Sequence, residues 1–261
     1  MRSLSIGATG MLAQQLNVEV LSNNIANMTT TGYKRQRAEF QDLLYQSLRR
    51  VGSQSSDAGT IVPAGVQVGA GVQAAAVYRI HEQGNMQVTD NPLDTAISGR
   101  GFYQVELPDG QTAYTRAGSF QLSPQGEIVT ADGYRVVGPA PVPDEAVQIS
   151  INESGQVMAA LDGQVEPVDL GQFEMASFAN ETGLEAIGDN LFLETPAAGD
   201  VVVGTAGQQG FGTIKQGMVE NSNVNIVSEI TQLISAQRAY EMNSKVITTT
   251  DEMMRSVSTL R

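Results

Sequence analysis

At 261 residues the chain is long enough for one large domain or for two to three small ones, and the absence of cysteine excludes disulfides, thiolate metal sites and cysteine nucleophiles. Its net charge of −13 arises in the middle, because residues 51–222 carry five basic and twenty-one acidic side chains, whereas residues 1–50 have a net +3 and residues 223–261 a net zero. Phosphate binding needs clustered Lys and Arg, and a membrane-spanning helix needs about 20 apolar residues, so the composition argues against a nucleic-acid partner and against membrane insertion.

The first predicted element is a helix that starts near the N-terminus. Leu4, Met11, Val18 and Ile25 are spaced seven residues apart, which predicts a helix with one narrow apolar stripe. The first fifteen residues, MRSLSIGATGMLAQQ, lack the continuous apolar run and the cleavage site of an ordinary signal peptide. If the protein leaves the cytoplasm, we expect it to do so without a cleaved signal.

The segment SNNIANMTTTGYKR, residues 22–35, interrupts this helix. Its asparagines and Gly32, which can adopt a positive φ, are suited to end the helix before Tyr33 starts a second element. The following run RAEFQDLLYQSLRR, residues 37–50, is composed of helix-favouring residues. An ordinary loop between two helices is the alternative interpretation of the break.

Residues 46–80 are predicted to form an extended arm with β character. Gly52–Gly59 is rich in Gly, Ser and Gln, which is typical of a flexible linker, whereas Ile61–Val77 alternates like a strand. We hypothesise that the arm stiffens an assembly by ordering against neighbouring copies.

Residues 81–217 are predicted to form an acidic, β-rich domain. Within Gly101–Gly138, short alternating runs are separated by turn sequences such as Pro108-Asp109-Gly110 and Ala131-Asp132-Gly133, which is the pattern of a β-meander. A barrel or a sandwich is expected. Low aromatic content and the lack of Trp predict a core built from aliphatic side chains.

The C-terminal segment from Met218 to Arg261 contains neither Pro nor Gly and is predicted to be one long helix, with Ser222, Asn223 and Asn225 as candidate caps. It repeats the seven-residue spacing, and two narrow stripes favour pairing of the terminal helices as a coiled coil. The fold class is therefore α+β, with residues 1–45 and 218–261 as a helical assembly domain. The predicted seam consists of Leu4, Met11, Val18, Ile25, Ile226, Leu233, Tyr240, Ile247 and Met254.

Catalytic chemistry has little support in this sequence. The one histidine, His81, is expected to be a surface or structural residue, and Asp90 and Asp94 have turn spacing rather than the spacing of a calcium loop. The run GTAGQQGFG, residues 204–212, lacks the GK[ST] ending of a phosphate loop. We predict no catalytic, cofactor-binding or metal-binding residue.

Three segments, in this order, resemble the bacterial flagellar rod and hook axial family: SNNIANMTTTGYKR, DTAISGRGFYQV with YTRAGSFQLSPQGEIVTADGYRVVG, and VENSNVNIVSEITQLISAQRAYEMNSKVITTTDEMM. The resemblance covers nearly the whole chain. It implies a non-enzymatic subunit that is exported through the flagellar type III apparatus and polymerises into a hollow shaft crossing the periplasm. The family motif at the helix break corresponds here to Asn23, Asn24, Asn27, Thr31, Gly32, Tyr33 and Lys34.

The resemblance also implies partners: further copies of the chain, other rod proteins, the hook protein, and the peptidoglycan and outer-membrane ring proteins. Within the family, the length and the segments AEFQDLLYQSLRR and TGLEAIGDNLFLET most resemble a subunit of the distal part of the rod. A subunit of the proximal rod is the first alternative, and a hook subunit is less favoured because hook proteins have larger outer domains. Two other classes remain open, a secreted adhesin or viral baseplate component, and a peptidoglycan hydrolase. The hydrolase has less support because the sequence shows no paired, apolar-flanked carboxylates.

Overall fold

The computed structural model describes residues 2–49, 64–163 and 166–259, and the chain divides into two compact units. The terminal unit and the central unit are named here for their positions along the chain. The terminal unit combines Met1–Ile25, Gln36–Tyr78 and Asn225–Arg261, and the central unit combines Ala26–Arg35 and Arg79–Val224. The predicted α+β class, with helices at both ends and a β-rich region between them, is confirmed. The Gly52–Gly59 part of the predicted arm lies outside the described residues.

Two helices and two small antiparallel sheets make up the terminal unit. Its elements are α1 (Arg2–Ala26), β1 (Gln36–Asp42), β2 (Tyr45–Arg49), β3 (Val66–Gly69), β4 (Val72–Arg79) and α2 (Ile226–Thr259). Strand β1 pairs with β4, and β2 pairs with β3. The strands β2 and β3 are exposed over most of their length, and Leu44 and Leu48 are 90% and 58% exposed.

The helix-favouring run at residues 37–50 forms no helix within the described residues, and here the sequence-based prediction is wrong. Residues 36–42 and 45–49 are the strands β1 and β2 instead. Helix propensity is a weak preference, and here pairing with β4 and β3 through backbone hydrogen bonds overrides it.

The central unit is built from short strands that follow one another closely. Its elements are β5 (Met86–Val88), β6 (Thr95–Ser98), β7 (Phe102–Glu106), β8 (Thr112–Thr115), β9 (Gln121–Leu122), β10 (Ile128–Val129), β11 (Arg135–Val136), β12 (Ala146–Ile151), β13 (Gln156–Leu161), β14 (Val168–Gln172), β15 (Glu174–Ser177), a 3₁₀ turn (Glu181–Gly183), β16 (Glu185–Gly188), β17 (Leu191–Leu193), β18 (Val202–Thr205), β19 (Thr213–Gln216) and β20 (Met218–Glu220).

The largest sheet has the strand order β16-β17-β8-β7-β11-β10-β9, and β15 joins β7 to β18. The remaining strands form the sheet β12-β13-β14 and the pairs β6-β19 and β5-β20. The predicted turns lie between neighbouring antiparallel strands, and Gly110 and Gly133 adopt φ values of 81° and 86°, as those turns require.

Aliphatic side chains make up most of the main core of the central unit, as composition predicted, but large aromatic side chains are buried among them. Tyr103, Phe120 and Phe173 are almost completely buried, and the ring centroids of Tyr103 and Phe120 are 5.1 Å apart in an edge-to-face arrangement. A second cluster gathers Phe102, Phe178 and Phe192. The chain has few aromatic residues, but it concentrates them here, where each ring buries a large apolar area.

The C-terminal helix begins later than predicted, at Ile226 rather than near Met218. Met218–Glu220 is strand β20, which pairs with β5 inside the central unit. Asn225 caps α2 because its Oδ1 accepts a hydrogen bond from Ser228 N at 3.2 Å, which confirms one of the three candidate caps. Absence of Pro and Gly permitted a helix over the whole segment, but it did not require one.

Candidate assembly surface

The helices α1 and α2 run antiparallel within the terminal unit and approach most closely where α1 carries glycine. A Cβ atom built on Gly7 would lie 3.0 Å from Ile247 Cγ1, and one built on Gly10 would lie 2.8 Å from Asn243 Nδ2. Later residues of α1 meet earlier residues of α2, since Asn24 contacts Glu229. Glycine allows this approach because it places no side chain between the two helices.

The nine residues of the predicted seam differ in burial, and one of them, Ile247, faces Gly7 within the contact. Leu4, Met11, Val18, Ile25, Leu233 and Ile247 are half-buried, while Ile226, Tyr240 and Met254 are 39%, 43% and 42% exposed. The fully buried positions beside them are small or polar residues, or isolated apolar ones: Gly7, Ala13, Val20, Leu21 and Asn24 on α1, and Glu229, Ala236 and Thr250 on α2. The helix pair therefore encloses little large apolar surface.

A second row of apolar residues runs along α2 on the side turned away from α1. At 100° per residue, Glu229, Asn243 and Ile247 share the side that faces α1. Most of the row lies on the opposite half of the helix, and Val246 lies at the edge of that half. Its members are Val227 (72% exposed), Ile234 (45%), Met242 (63%), Val246 (47%) and Met253 (56%). We call this row the outer face of α2. Neighbouring apolar groups that remain in water mark a site of association.

An open groove of about 530 Å³ lies between the two helices. Val18 and Tyr240 supply its apolar wall, and both belong to the predicted seam. Its remaining lining is polar and acidic: Gln15, Glu19, Gln237 and Glu241.

Asn24, from the motif at the helix break, joins three elements of the terminal unit. Its side chain is fully buried, and its Nδ2 donates to Gln36 O at 2.8 Å and to Glu229 Oε2 at 3.0 Å. Its Oδ1 accepts a hydrogen bond from Gln36 N at 2.8 Å. The amide thus fixes the start of β1 and the first turn of α2 to the end of α1, in a way that an apolar side chain cannot.

The motif residues from Asn27 onward lie in the central unit, whereas Asn23 belongs to the terminal unit. Thr30 Oγ1 donates to Asn27 Oδ1, and Thr31 O accepts a hydrogen bond from Asn190 Nδ2. Gly32 has φ = 71°, and a Cβ there would lie 2.7 Å from Ala117 N, so this turn needs glycine for its conformation and for space. Tyr33 is buried, and Asn23 is exposed.

Lys34 ends the motif in a buried cluster of charges. Its Nζ lies 2.6 Å from Glu220 Oε1, and Arg116 Nε lies 2.6 Å from Glu220 Oε2. Glu220 is fully buried, and its Oε1 also accepts a hydrogen bond from Gly84 N at 2.8 Å. Lys34 further donates to Glu82 O, and Arg116 donates to the carbonyls of the β6–β7 connection.

The electrostatics of this cluster keep the carboxylate charged. Burial would raise the pKa of Glu220, but the charges of Arg116 and Lys34 hold it below its ordinary value. Burial lowers the pKa of Lys34 although Glu220 acts in the opposite direction. Two cations share one buried anion, so loss of Glu220 would leave both without compensation.

His81 lies beside this cluster and is structural, as predicted. Its ring contacts Phe102 and Phe192 edge-on, with centroid distances of 5.7 and 5.6 Å, and its Nδ1 has no hydrogen-bond partner among the described residues. Burial, and then the charges of Lys34, Arg79 and Arg116, lower the pKa of His81 to about 4. The imidazole is therefore neutral at neutral pH.

Asn223 links three segments of the central unit, each of which lies close to a point where the chain enters or leaves that unit. Its Nδ2 donates to Ile80 O at 2.8 Å and to Glu82 O at 3.0 Å, and its Oδ1 accepts a hydrogen bond from Arg35 N at 2.7 Å. Sequence reasoning treated Asn223 only as a possible helix cap. Its three partners are 141 to 188 residues away in the chain, which no local pattern reveals.

The described residues contain no group of three or more His, Cys, Asp or Glu side chains arranged to hold a metal ion. Among the helices that the structure describes, none combines the length and the apolar character needed to cross a membrane.

Three family models match three separate segments of the chain. The flagella basal body rod protein model matches residues 4–34, the flagellar hook protein FlgE/F/G D1 domain model matches residues 96–159, and the flagellar basal body rod FlgEFG protein C-terminal model matches residues 215–260. The first and third models cover most of α1 and all of α2.

Several relatives that align over nearly their full length are named flagellar basal-body rod protein FlgG. The flagellar basal-body rod protein FlgG of Caulobacter vibrioides is 60% identical over 261 residues, with both chains covered completely. The protein of the same name from Agrobacterium fabrum is 54% identical over 99% of this chain and 98% of its own, and that from Borreliella burgdorferi is 47% identical over 100% and 99%.

Proposed function

Since this chain belongs to the flagellar rod and hook axial protein family, where it most resembles the basal-body distal rod protein, we propose that its copies polymerise helically into the rigid distal rod. The chain is a structural rod subunit of the flagellar basal body. As a rod, the polymer transmits torque from the motor to the hook, and the subunit has no catalytic role.

The observation that supports self-assembly is the outer face of α2. Val227 and Met242 are 72% and 63% exposed, and three further apolar side chains extend the row. Burial of each such side chain against a neighbouring copy contributes about 1.5–3 kcal/mol when the side chain is fully enclosed. A contact that repeats from copy to copy without closing a ring gives open-ended growth, which is the form a shaft needs.

The finer architecture belongs to the same proposal. The terminal helices pair as a coiled coil through the nine seam residues, and the central unit is a barrel-like or sandwich-like domain. In functional terms, residues 1–45 and 218–261 mediate assembly, residues 46–80 form the arm, and residues 81–217 form the acidic domain. We propose that the arm orders against adjacent subunits and makes the polymer stiffer.

We propose further that the rod contacts the proximal rod proteins, the hook protein, and the peptidoglycan and outer-membrane ring proteins. The subunit reaches this place, across the periplasm to the outer membrane, by flagellar type III export without a cleaved signal peptide. Its acidic middle, with a net −16 over residues 51–222, keeps subunits soluble until they assemble.

The proposal is tested by electron microscopy and sedimentation of the purified full-length chain over a range of concentrations. We expect the wild-type chain to form straight rods above a critical concentration. In the double variant Val227→Asp, Met242→Asp the outer face of α2 carries two charges, and we expect no rods at concentrations at least tenfold higher.

Thr248→Asp is the matched control, because Thr248 is exposed on the same helix outside the apolar row. We expect it to assemble like the wild type. Circular dichroism of the monomers checks that all variants keep their helices. The absence of rods in the wild type, or unchanged assembly of the double variant, would contradict the proposal.

A further inference from the structure

A cavity of about 210 Å³ lies in the central unit beside the hairpin of β16 and β17. Tyr33, Arg79, Asn190 and Phe192 are among the residues that line it. Asp189 and Asn190 form the turn of the hairpin and adopt φ values of 51° and 58°, which gives the rim a fixed shape. Neither the predicted seam nor the outer face of α2 includes this cavity.

Arg79 is the notable group in the cavity. Its side chain is half-buried, and its guanidinium carbon lies 5.6 Å from the centroid of the Phe192 ring, which holds the planar group in place. Among the described residues, no carboxylate oxygen lies within 4.0 Å of the Arg79 nitrogens. The neighbouring cations differ in this respect, since Lys34 and Arg116 share Glu220.

The local charge favours an anion. The charges of Lys34, Arg79 and Arg116 all act on His81, next to the cavity, in the direction expected of a positive potential. Asp189 supplies the carboxylate among the lining residues, but it is exposed and forms no ion pair with Arg79. A half-buried guanidinium with free donors binds a carboxylate in a bidentate manner.

We propose that this cavity receives the carboxylate of an exposed Asp or Glu side chain from the central unit of a second copy, which pairs with Arg79. The inference rests on the proposed polymerisation and adds a specific contact to it. The cavity of one copy and an acidic side chain of the next form a heterologous contact, which repeats without closing.

Charge complementarity identifies this occupant. Residues 26–35 and 79–224, which form the central unit, contain twenty acidic and seven basic side chains, so copies of this unit repel one another through their net negative charge. Exposed carboxylates stand at the tips of its hairpins, as Asp109 and Asp132 do. An acidic tip of a neighbouring copy fits a small cavity that has one unpaired cation.

The first test measures the critical concentration for polymerisation by sedimentation of the full-length chain. R79Q removes the charge, and we expect its critical concentration to rise about tenfold. R79K keeps the charge but lacks the paired N–H donors of the guanidinium, so its critical concentration should rise less. R100Q is the control, because Arg100 is a 73% exposed arginine of the same unit, and it should change the value less than twofold.

A second test locates the partner. In assembled R79K, a water-soluble carbodiimide joins the new amine to a carboxylate in direct contact as an amide, and mass spectrometry of tryptic peptides identifies the acid. We expect a cross-link between two copies, to an Asp or Glu of residues 79–224, that is absent in the wild type. A mixture of isotopically light and heavy chains distinguishes a link between copies from one within a chain.

The outcomes separate this inference from the proposed function. If the wild-type chain does not polymerise, both fail. If the wild type polymerises and R79Q does so at the same concentration, the Arg79 contact alone is refuted. A cross-link only within one chain, or none in assembled R79K, also refutes it. Thermal unfolding of the R79Q and R79K monomers shows whether a folding defect, rather than a lost contact, raises the critical concentration.

Discussion

The central unit and the terminal unit bury different materials. The central unit encloses Tyr103, Phe120 and Phe173 almost completely, while the closest contacts between the terminal helices place Gly7 against Ile247 and Gly10 against Asn243. At the same time Val227, in the terminal unit, is 72% exposed. The central unit therefore contains its own stabilising core, whereas the terminal unit leaves apolar side chains exposed to water.

Both units also bury a carboxylate. In the central unit Glu220 compensates Lys34 and Arg116 at 2.6 Å each, and in the terminal unit Glu229 accepts a hydrogen bond from the neutral Asn24 at 3.0 Å. Removal of a buried charge partner costs more than removal of one neutral hydrogen-bond donor. The expected loss of stability is therefore largest for a substitution in the buried ion cluster and smallest for one that removes neutral hydrogen bonds.

The largest effect is expected from Glu220→Gln, which leaves Lys34 and Arg116 buried without an anion. We expect the free energy of unfolding of the central unit to fall by about 3–5 kcal/mol. The measurement is urea unfolding of the monomer followed by tyrosine fluorescence, because the chain has no Trp and Tyr103 and Tyr114 are buried in this unit.

Asp251→Asn serves as the control on α2. Its ion pair with Arg255 has an N···O distance of 2.9 Å, but the two side chains are 55% and 80% exposed. Its loss should change stability by no more than about 0.5 kcal/mol. Equal changes in the free energy of unfolding for Glu220→Gln and Asp251→Asn would contradict the prediction that a buried ion pair contributes more than an exposed one.

A pH effect of intermediate size is expected from His81. Between pH 6.5 and about 4 the unfolded chain binds a proton at this imidazole and the folded chain does not, so acidification through this window destabilises the central unit. Complete passage through the window costs about 3 kcal/mol.

Because carboxylates titrate in the same range, the comparison with His81→Gln isolates the contribution of the imidazole. The free energy of unfolding of this variant, measured by urea unfolding at each pH, should depend less steeply on pH between 6.5 and 4. The charges that lower the pKa of His81, after burial, are those of Lys34, Arg79 and Arg116. Identical pH profiles for the two proteins would refute the prediction.

The smallest effect is expected from Asn24→Ala, which removes the hydrogen bonds to Gln36 and Glu229. We expect the free energy of opening of the terminal unit to fall by about 1–3 kcal/mol, with no change in the central unit. Amide exchange of the monomer should become faster in α1, β1 and α2 and stay unchanged in the central unit. Gln15→Ala, which removes only an exposed contact with Glu19, is the control. Faster exchange throughout the molecule would show that the two units do not open separately.

Local patterns in the sequence predicted the parts of this fold that depend on local interactions. The seven-residue spacing identified α1 and most of α2, and Pro-Asp-Gly and Asp-Gly pairs located the turns at Gly110 and Gly133. The φ of Gly32 was predicted for the same reason, since a positive φ is a property of one residue and its neighbours.

Features that depend on distant partners were not predicted. Residues 36–49 became strands because β4 and β3 pair with them, and Met218–Glu220 became a strand because β5 does. Glu220 is 104 residues from Arg116 and 186 residues from Lys34 in the chain. Ion pairs between such distant residues produce no local sequence pattern from which they could be predicted. The outer face of α2 was hidden by the seven-residue stripe beside it, although a helical projection of Val227, Ile234, Met242, Val246 and Met253 would have found it.

Asn223 gives the central unit a mechanical property. Three stretches of chain enter or leave this unit next to Arg35, Ile80 and Val224, and one amide side chain bonds to the first two and precedes the third. We expect a twisting load applied to any one of these three chain segments to be transmitted to the other two through the hydrogen bonds of Asn223. The load is shared, and no single connection has to resist shear alone.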